Sequence, residues 1–286
     1  MVLKFVPCTM GLLILAGVLS GCNKSKPDKD TAKADTNVPV QPTTFSQNSK
    51  AGKSGLIGST NRFQQTFADA VILDPPPEGE LLPPEKTIAG KSVGKMFETI
   101  AGPNNVGGLW DKIALASADG KPIHYKGNMV TDLGTITIEL WPEIAPNHVR
   151  NFIALAKVGY YEGLGFDLAV HQRIGTTHLD CLHAGCPLGT GEPGYGSIGY
   201  WLRPEFSDTV HEAGTVGAYH GESMESASTK FYITLGPAPW LDKNWTVFGK
   251  VIQGLDVART IFQRPADDDF YPKDRVLIRQ VTIQGQ

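Results

Sequence analysis

Two short β-like runs, Phe231 to Leu235 and Thr246 to Val251, flank a turn-rich connection that carries Pro237, Pro239, Asp242 and Asn244. Runs of β-branched and aromatic residues bounded by such breakers are the pattern of neighbouring strands. This stretch constrains the chain most, because it demands a sheet and fixes large apolar side chains, Trp240, Leu241 and Trp245, beside the strand ends. Side chains so placed either plug the end of a barrel or line a groove, and the residues alone leave both open.

The remaining periodicities alternate between strand and helix. In Thr135 to Leu140, Ile136, Ile138 and Leu140 face one way and Thr135, Thr137 and Glu139 the other, as in one wall of a barrel. Pro146 suits the first turn of a following helix, with Val149, Phe152, Ile153 and Ala156 as its buried stripe. Gly254 to Phe262 reads as a second helix, Val276 to Ile283 as a closing strand and Asp267 to Asp269 as a solvated loop. Upstream, Asn61 and Gln64 are spaced as a capping box, with Phe63, Phe67, Ala70 and Val71 on one helical face. Asp74-Pro75-Pro76-Pro77 stops that helix, and the stretch to Pro84 is expected to be extended. Val93, Met96, Phe97 and Ile100 predict a further helix ending at Gly102-Pro103, and the Asp119-Gly120 pair predicts a hairpin turn between Ile113 and Tyr125.

Several of these pieces, in this order, resemble the cyclophilin family of peptidyl-prolyl cis-trans isomerases. Lys230 to Val251 (KFYITLGPAPWLDKNWTVFGKV) is similar to its signature region, Gly134 to Trp141 with Ala145-Pro146 to its first core strand and helix, and Asn151-Phe152 to that helix. Tyr161, Gly163 and Phe166, then Leu188 to Tyr195, Pro204-Glu205-Phe206 and His211 to Val216 follow collinearly over about residues 129 to 284. The resemblance implies a mainly β fold, a closed antiparallel eight-stranded barrel capped by two helices, here with an N-terminal helical extension. It divides the chain into a leader at 1–21, a lipidated cysteine and tether at 22–60, accessory helices and a hairpin at 61–128, and the barrel domain at 129–286.

The chemistry implied needs no nucleophile, metal or cofactor. Rotation about an X-Pro bond is slow because amide resonance gives a barrier of about 18–20 kcal/mol. A catalyst therefore supplies an apolar socket for the ring, anchors for the flanking backbone and a donor to the amide nitrogen as it pyramidalises. Carried over by position, Tyr232, Trp240 and Leu241 match socket residues, Tyr219 and His220 the backbone-binding strand, and Trp245 a place usually held by His or Tyr. Lys230 stands where a glutamine is expected, and His183 where a second one is. Ungapped alignment puts Asp167-Leu168 where His-Arg belongs, so the catalytic donor is expected from Arg173, within an enlarged loop of roughly seven extra residues. The expected partners are proline-containing polypeptides. The alternative is a proline-peptide binding module or chaperone with a degraded donor.

The first residues carry an address. Lys4 precedes the apolar run Met10 to Leu19, too short to span a bilayer comfortably, and Leu19-Ser20-Gly21-Cys22 resembles a bacterial lipobox. Cys22 is thus expected to be lipidated, anchoring the protein to a membrane of the cell envelope. Asn23 favours, by analogy with lipoprotein sorting, the outer membrane and its periplasmic face. Residues 23 to 60 are polar and Pro/Gly-rich, a tether with a reach of roughly 35 Å.

With a net charge of -3, nothing points to nucleic acid. Gly189, Gly191 and Gly194 spell a dinucleotide-binding pattern, but Pro193 and Tyr195-Gly196 stand where a helix should begin. His178, Cys181, His183 and Cys186 match no standard zinc spacing. Cys181 and Cys186 leave open a disulfide or two ordinary thiols.

Overall fold

A computed structural model describes residues 61–285. The leader at 1–21, Cys22 and the tether at 22–60 lie outside the described residues. Asn61–Gln64 form a 3-10 turn, followed by helix α1 (Phe67–Ala70), strand β1 (Val71–Ile72), α2 (Val93–Ala101) and α3 (Leu109–Lys112). Then come β2 (Tyr125–Thr131), β3 (Gly134–Leu140), α4 (Pro146–Lys157), β4 (Phe166–Ile174), β5 (Thr177–Ala184) and β6 (Trp201–Leu202). β7 (Thr215–Ala218), β8 (Phe231–Thr234), β9 (Val247–Gln253), α5 (Leu255–Phe262) and β10 (Ile278–Gly285) complete the order.

Eight strands form one antiparallel sheet in the order β10-β2-β3-β9-β7-β8-β5-β4. Ile136, Ile138 and Leu140 point into its core, as their alternation requires. The expected closed barrel is corrected: the sheet curls, but no ladder joins its edge strands. β4 and β10 meet through the isolated Gly165–Leu277 bridge and neighbouring bonds such as Phe166 N to Val276 O at 3.1 Å. Beyond that seam the edge of β4 turns to the loop before β10, where Ala169 N donates to Phe270 O. The enlarged loop expected around Arg173 is also corrected, since β4 and β5 pair in regular register from Leu168–His183 out to Ile174–Thr177, with Gly175 (φ 61°) in the turn.

The single helix expected from Asn61 is broken, and hydrogen-bond accounting explains why. Arg150 donates to the carbonyls of Phe63 and Gln65, and Trp110 Nε1 also donates to Gln65 O, so these oxygens are not available to a continuing helix. Phe67 N turns instead to Asp111 Oδ1 at 3.1 Å, and Asp69 N to the Thr66 hydroxyl at 3.3 Å, which caps the new helix α1. β1 then pairs with β6. Phe67 packs edge-to-face on Phe97, Trp110 and Tyr200 at centroid distances of 5.9, 5.6 and 5.1 Å.

This extension changes the environment of α4. Pro146 opens the helix, and Val149, Phe152, Ile153 and Ala156 face the sheet as the stripe predicts. A fully buried side chain of this size stabilises by roughly 1.5–3 kcal/mol. The opposite face is buried too: His148 and Arg150 are each only 2% exposed. Glu205 caps the first turn, accepting from the backbone of Asn147 and His148 and from His148 Nδ1 at 2.8 Å. Phe67, Ile100, Trp110 and Leu115 thus share one core with the sheet.

Candidate functional site

Strand register places the site on the outer face of β4, β5, β8 and β7. Leu168 lies opposite His183, His183 opposite Tyr232, and Tyr232 opposite Gly217, a row across four strands. Phe231 and Ile233 point into the main core, so Tyr232 between them faces outward, into a second apolar cluster with Val170, Cys181, Ala238, Leu241 and Trp245. The connection after β8 winds into a 3-10 turn at Pro239–Leu241, which sets Leu241 into that cluster with Trp240 packed on it. Gly217 has to be glycine here, because a Cβ would come within 2.1 Å of the Tyr232 hydroxyl.

Aromatic rings surround this floor. Tyr219 lies 5.4 Å from His183 and 5.9 Å from Trp245, and Trp245 meets Tyr232 edge-on at 5.7 Å. His220 stacks on Trp245 at 3.9 Å. The structure therefore brings together Tyr219, His220, Tyr232, Trp240, Leu241, Trp245, His183 and Lys230. It does not bring Arg173 to them, which corrects the expectation for the donor. Arg173 is five residues beyond Leu168 along β4, roughly 16 Å away and, by the odd separation, on the other face. It is exposed, and its Nε donates to Gly175 O at 3.2 Å in the hairpin turn.

Lys230 directly precedes β8, and its side chain is 3% exposed. Its ammonium donates to Gly191 O at 3.1 Å and lies 4.3 Å from the centre of the Tyr219 ring. Desolvation opposes its charge, yet the attraction of Asp167, then of Tyr219, Cys186 and Glu80, outweighs it and holds the ammonium above the ordinary lysine value. Asp167 is fully buried beside it: Oδ2 accepts from Cys186 N at 2.8 Å, and Oδ1 has no hydrogen-bond partner among the described residues. Lys230 thus points under the site rather than into it, toward Gly191 and the Tyr219 ring.

His183 lies on the socket floor beside Tyr219 and Tyr232. It is 8% exposed, and its Nδ1 is buried without a hydrogen-bond partner among the described residues. Burial first, and then the nearby Lys230 charge, push its pKa down to about 3, so the ring is a neutral imidazole at physiological pH. Beside it Leu168 packs against the backbone of Gly191, where a Cβ would stand 3.0 Å from Leu168 Cγ.

Sequence reasoning missed a hydrogen-bonded chain beneath the floor. His211 Nδ1 donates to Asp242 Oδ1 at 2.8 Å, which leaves Nε2 to accept from the Tyr232 hydroxyl at 2.8 Å. Burial lowers the His211 pKa against the pull of Asp242. A histidine before a strand and an aspartate in a turn were the only signals, and a sequence separation of 31 hides the pairing. Cys181 and Cys186 are separate buried thiols, Cys181 in the socket cluster. Among the described residues, no group of three or more His, Cys, Asp or Glu converges as a metal site would.

Residues 127–283 match the protein family described as cyclophilin type peptidyl-prolyl cis-trans isomerase/CLD. Peptidyl-prolyl cis-trans isomerase-like 3 of Gallus gallus is 36% identical over 157 residues, which cover 54% of this chain and 93% of that protein. Peptidyl-prolyl cis-trans isomerase-like 2 of Gibberella zeae is 33% identical over 156 residues, but these cover only 26% of it, so the chain spans about a quarter of that relative. A cyclophilin type isomerase of Cryptosporidium parvum aligns with a TM-score of 0.49 at 24% identity, over 57% of this chain and 99% of its own.

Proposed function

The chain belongs to the cyclophilin-type peptidyl-prolyl cis-trans isomerase family, and from that premise we propose that it is an isomerase of X-Pro bonds in polypeptides whose donor is the neutral imidazole of His183. The observation that carries this reading is the uncharged, largely buried His183 set between Leu168 and Tyr232 on the socket floor. The proline ring seats on Tyr232, Leu241 and Trp245, and the flanking backbone runs along Tyr219 and His220. The apolar surround favours the less polar twisted amide, and the imidazole N–H is oriented toward its nitrogen without the desolvation a cation would need. Leu168 in place of a guanidinium makes this a slow isomerase.

A protease-coupled assay on a short Xaa-Pro peptide tests it. The wild type is expected to be active, and His183→Ala to lower kcat/KM by about ten-fold or more at unchanged peptide affinity. Because His183 stays neutral above its pKa of about 3, its donor form does not change between pH 8 and pH 5, and activity is expected to stay flat across that range. A wild type that binds such peptides without turning them over would make the site a binding module, the second reading that Leu168 favours.

We further propose that the protein acts on client proteins of a cell envelope, held there by lipid on Cys22, with Leu19-Ser20-Gly21-Cys22 as support. Cys22→Ala is expected to move the protein from the membrane pellet to the soluble fraction in its native cell. An unchanged distribution would remove the anchor.

A further inference from the structure

The proline-rich segment Asp74 to Ile88 is more than a connector between β1 and α2. Its backbone is tied to the loop after β5 at two points, Leu81 N to Gly194 O at 3.0 Å and Ile88 N to Pro187 O at 2.8 Å. Gly79 lies so close that a Cβ on Gly194 would come within 2.7 Å of its carbonyl oxygen. Glu80, between Gly79 and the first of these ties, turns inward. Trp201 Nε1 donates to its Oε2 at 3.3 Å, and a Cβ on Gly221 would stand 2.9 Å from its Oε1. Burial raises its pKa, and the Trp201 bond, the Lys230 charge and the Ser226 hydroxyl oppose that rise.

This carboxylate accepts from the Trp201 indole and lies within the field of the Lys230 ammonium. The pocket that Glu80 fills lies between Gly194 of one loop and Gly221 and Ser226 of another, within the field of Lys230. Lys230 and Tyr232 are two residues apart in the chain, about 7 Å along a strand, so the pocket borders the proline socket within the reach of one peptide.

We propose that this pocket is a carboxylate-accepting subsite of the peptide groove, occupied in the resting protein by Glu80 of its own extension. It rests on the peptide-binding reading above and adds a chemical class: peptides with Asp or Glu near the proline compete with Glu80 for the subsite. The strap keeps the wild type from preferring them, and its displacement turns the preference on.

The test is binding rather than turnover, so a failure of isomerase activity leaves it untouched. Fluorescence anisotropy compares two labelled peptides, one with Glu two residues before the proline and its Gln twin, on wild type and Glu80→Ala. The wild type is expected to bind both alike, and Glu80→Ala to bind the Glu peptide about ten-fold tighter with the Gln twin unchanged. Glu80→Gln keeps the side-chain volume and removes the charge, and is expected to give a smaller gain of the same sign if the alanine variant is unstable. Equal gains for both peptides would make the strap a steric cover and overturn the subsite, as would no gain for either. A Gln twin that binds neither protein would count against the peptide-binding reading and the subsite with it.

Discussion

Replacing Lys230 by Met is expected to lower the free energy of unfolding at pH 7 by about 2–3 kcal/mol, because it removes the larger of the two cationic influences, Lys230 and Arg275, that offset the burial of the Asp167 carboxylate. Asp167 is 1% exposed, has one oxygen with no hydrogen bond among the described residues, and depends on Lys230 for electrostatic compensation. Methionine fills much the same volume, so the loss measures the charge rather than a cavity. The check is urea unfolding of four proteins: wild type, Lys230→Met, Asp167→Asn and the double variant. The double variant is expected to recover a large part of the loss, since the coupling within a buried pair is strongly non-additive. A Lys230→Met protein within about 1 kcal/mol of wild type would show that the ammonium reaches solvent, and would return Lys230 to the list of groups acting on substrate.

Leu168→Arg is expected to raise kcat/KM about 10- to 100-fold on a short Xaa-Pro peptide. Leu168 lies opposite His183 and borders the socket cluster, so a guanidinium from this position projects over the floor where the amide nitrogen is held. A preorganised donor at a reacting centre is worth on the order of 100- to 1000-fold, and the lower range allows for the cost of placing charge beside an apolar cluster already near Lys230. The protease-coupled assay and a thermal melt together decide it. A folded variant that binds peptide as the wild type does, yet gains nothing, would show that the socket holds proline out of line with this strand.

These two positions also show how far the sequence reached. Lys230 and Leu168 were visible as departures from a motif, because a motif fixes strand position. Where the Lys230 side chain goes was not visible, since Asp167 and Gly191, which direct it, belong to other segments. The alternation at Ile136, Ile138 and Leu140 and the proline-led helix α4 were legible because their causes are local. The long β4–β5 hairpin was taken for an irregular loop, for its outer half carries His171, Gln172 and Arg173 rather than an alternating apolar pattern. The socket residues were found together and Arg173 misplaced for a related reason. An insertion shifts residues along a strand, and parity then decides which face a side chain serves.

The grip of Arg150 on the extension has a consequence for how this protein can vary over time. The guanidinium takes hold of the carbonyl oxygens of Phe63, Gln65 and Ile113, groups that every amino acid carries. These bonds therefore read chain path and not side-chain identity, although Ile113 and Phe63 also pack on the core and Gln65 Oε1 accepts from Asn147. Arg150 itself is not exchangeable in them, since lysine lacks the planar fork that serves several acceptors at once. Such bonds leave their mark at one position and none at their partners, and pairwise covariation between the two parts would pass over them.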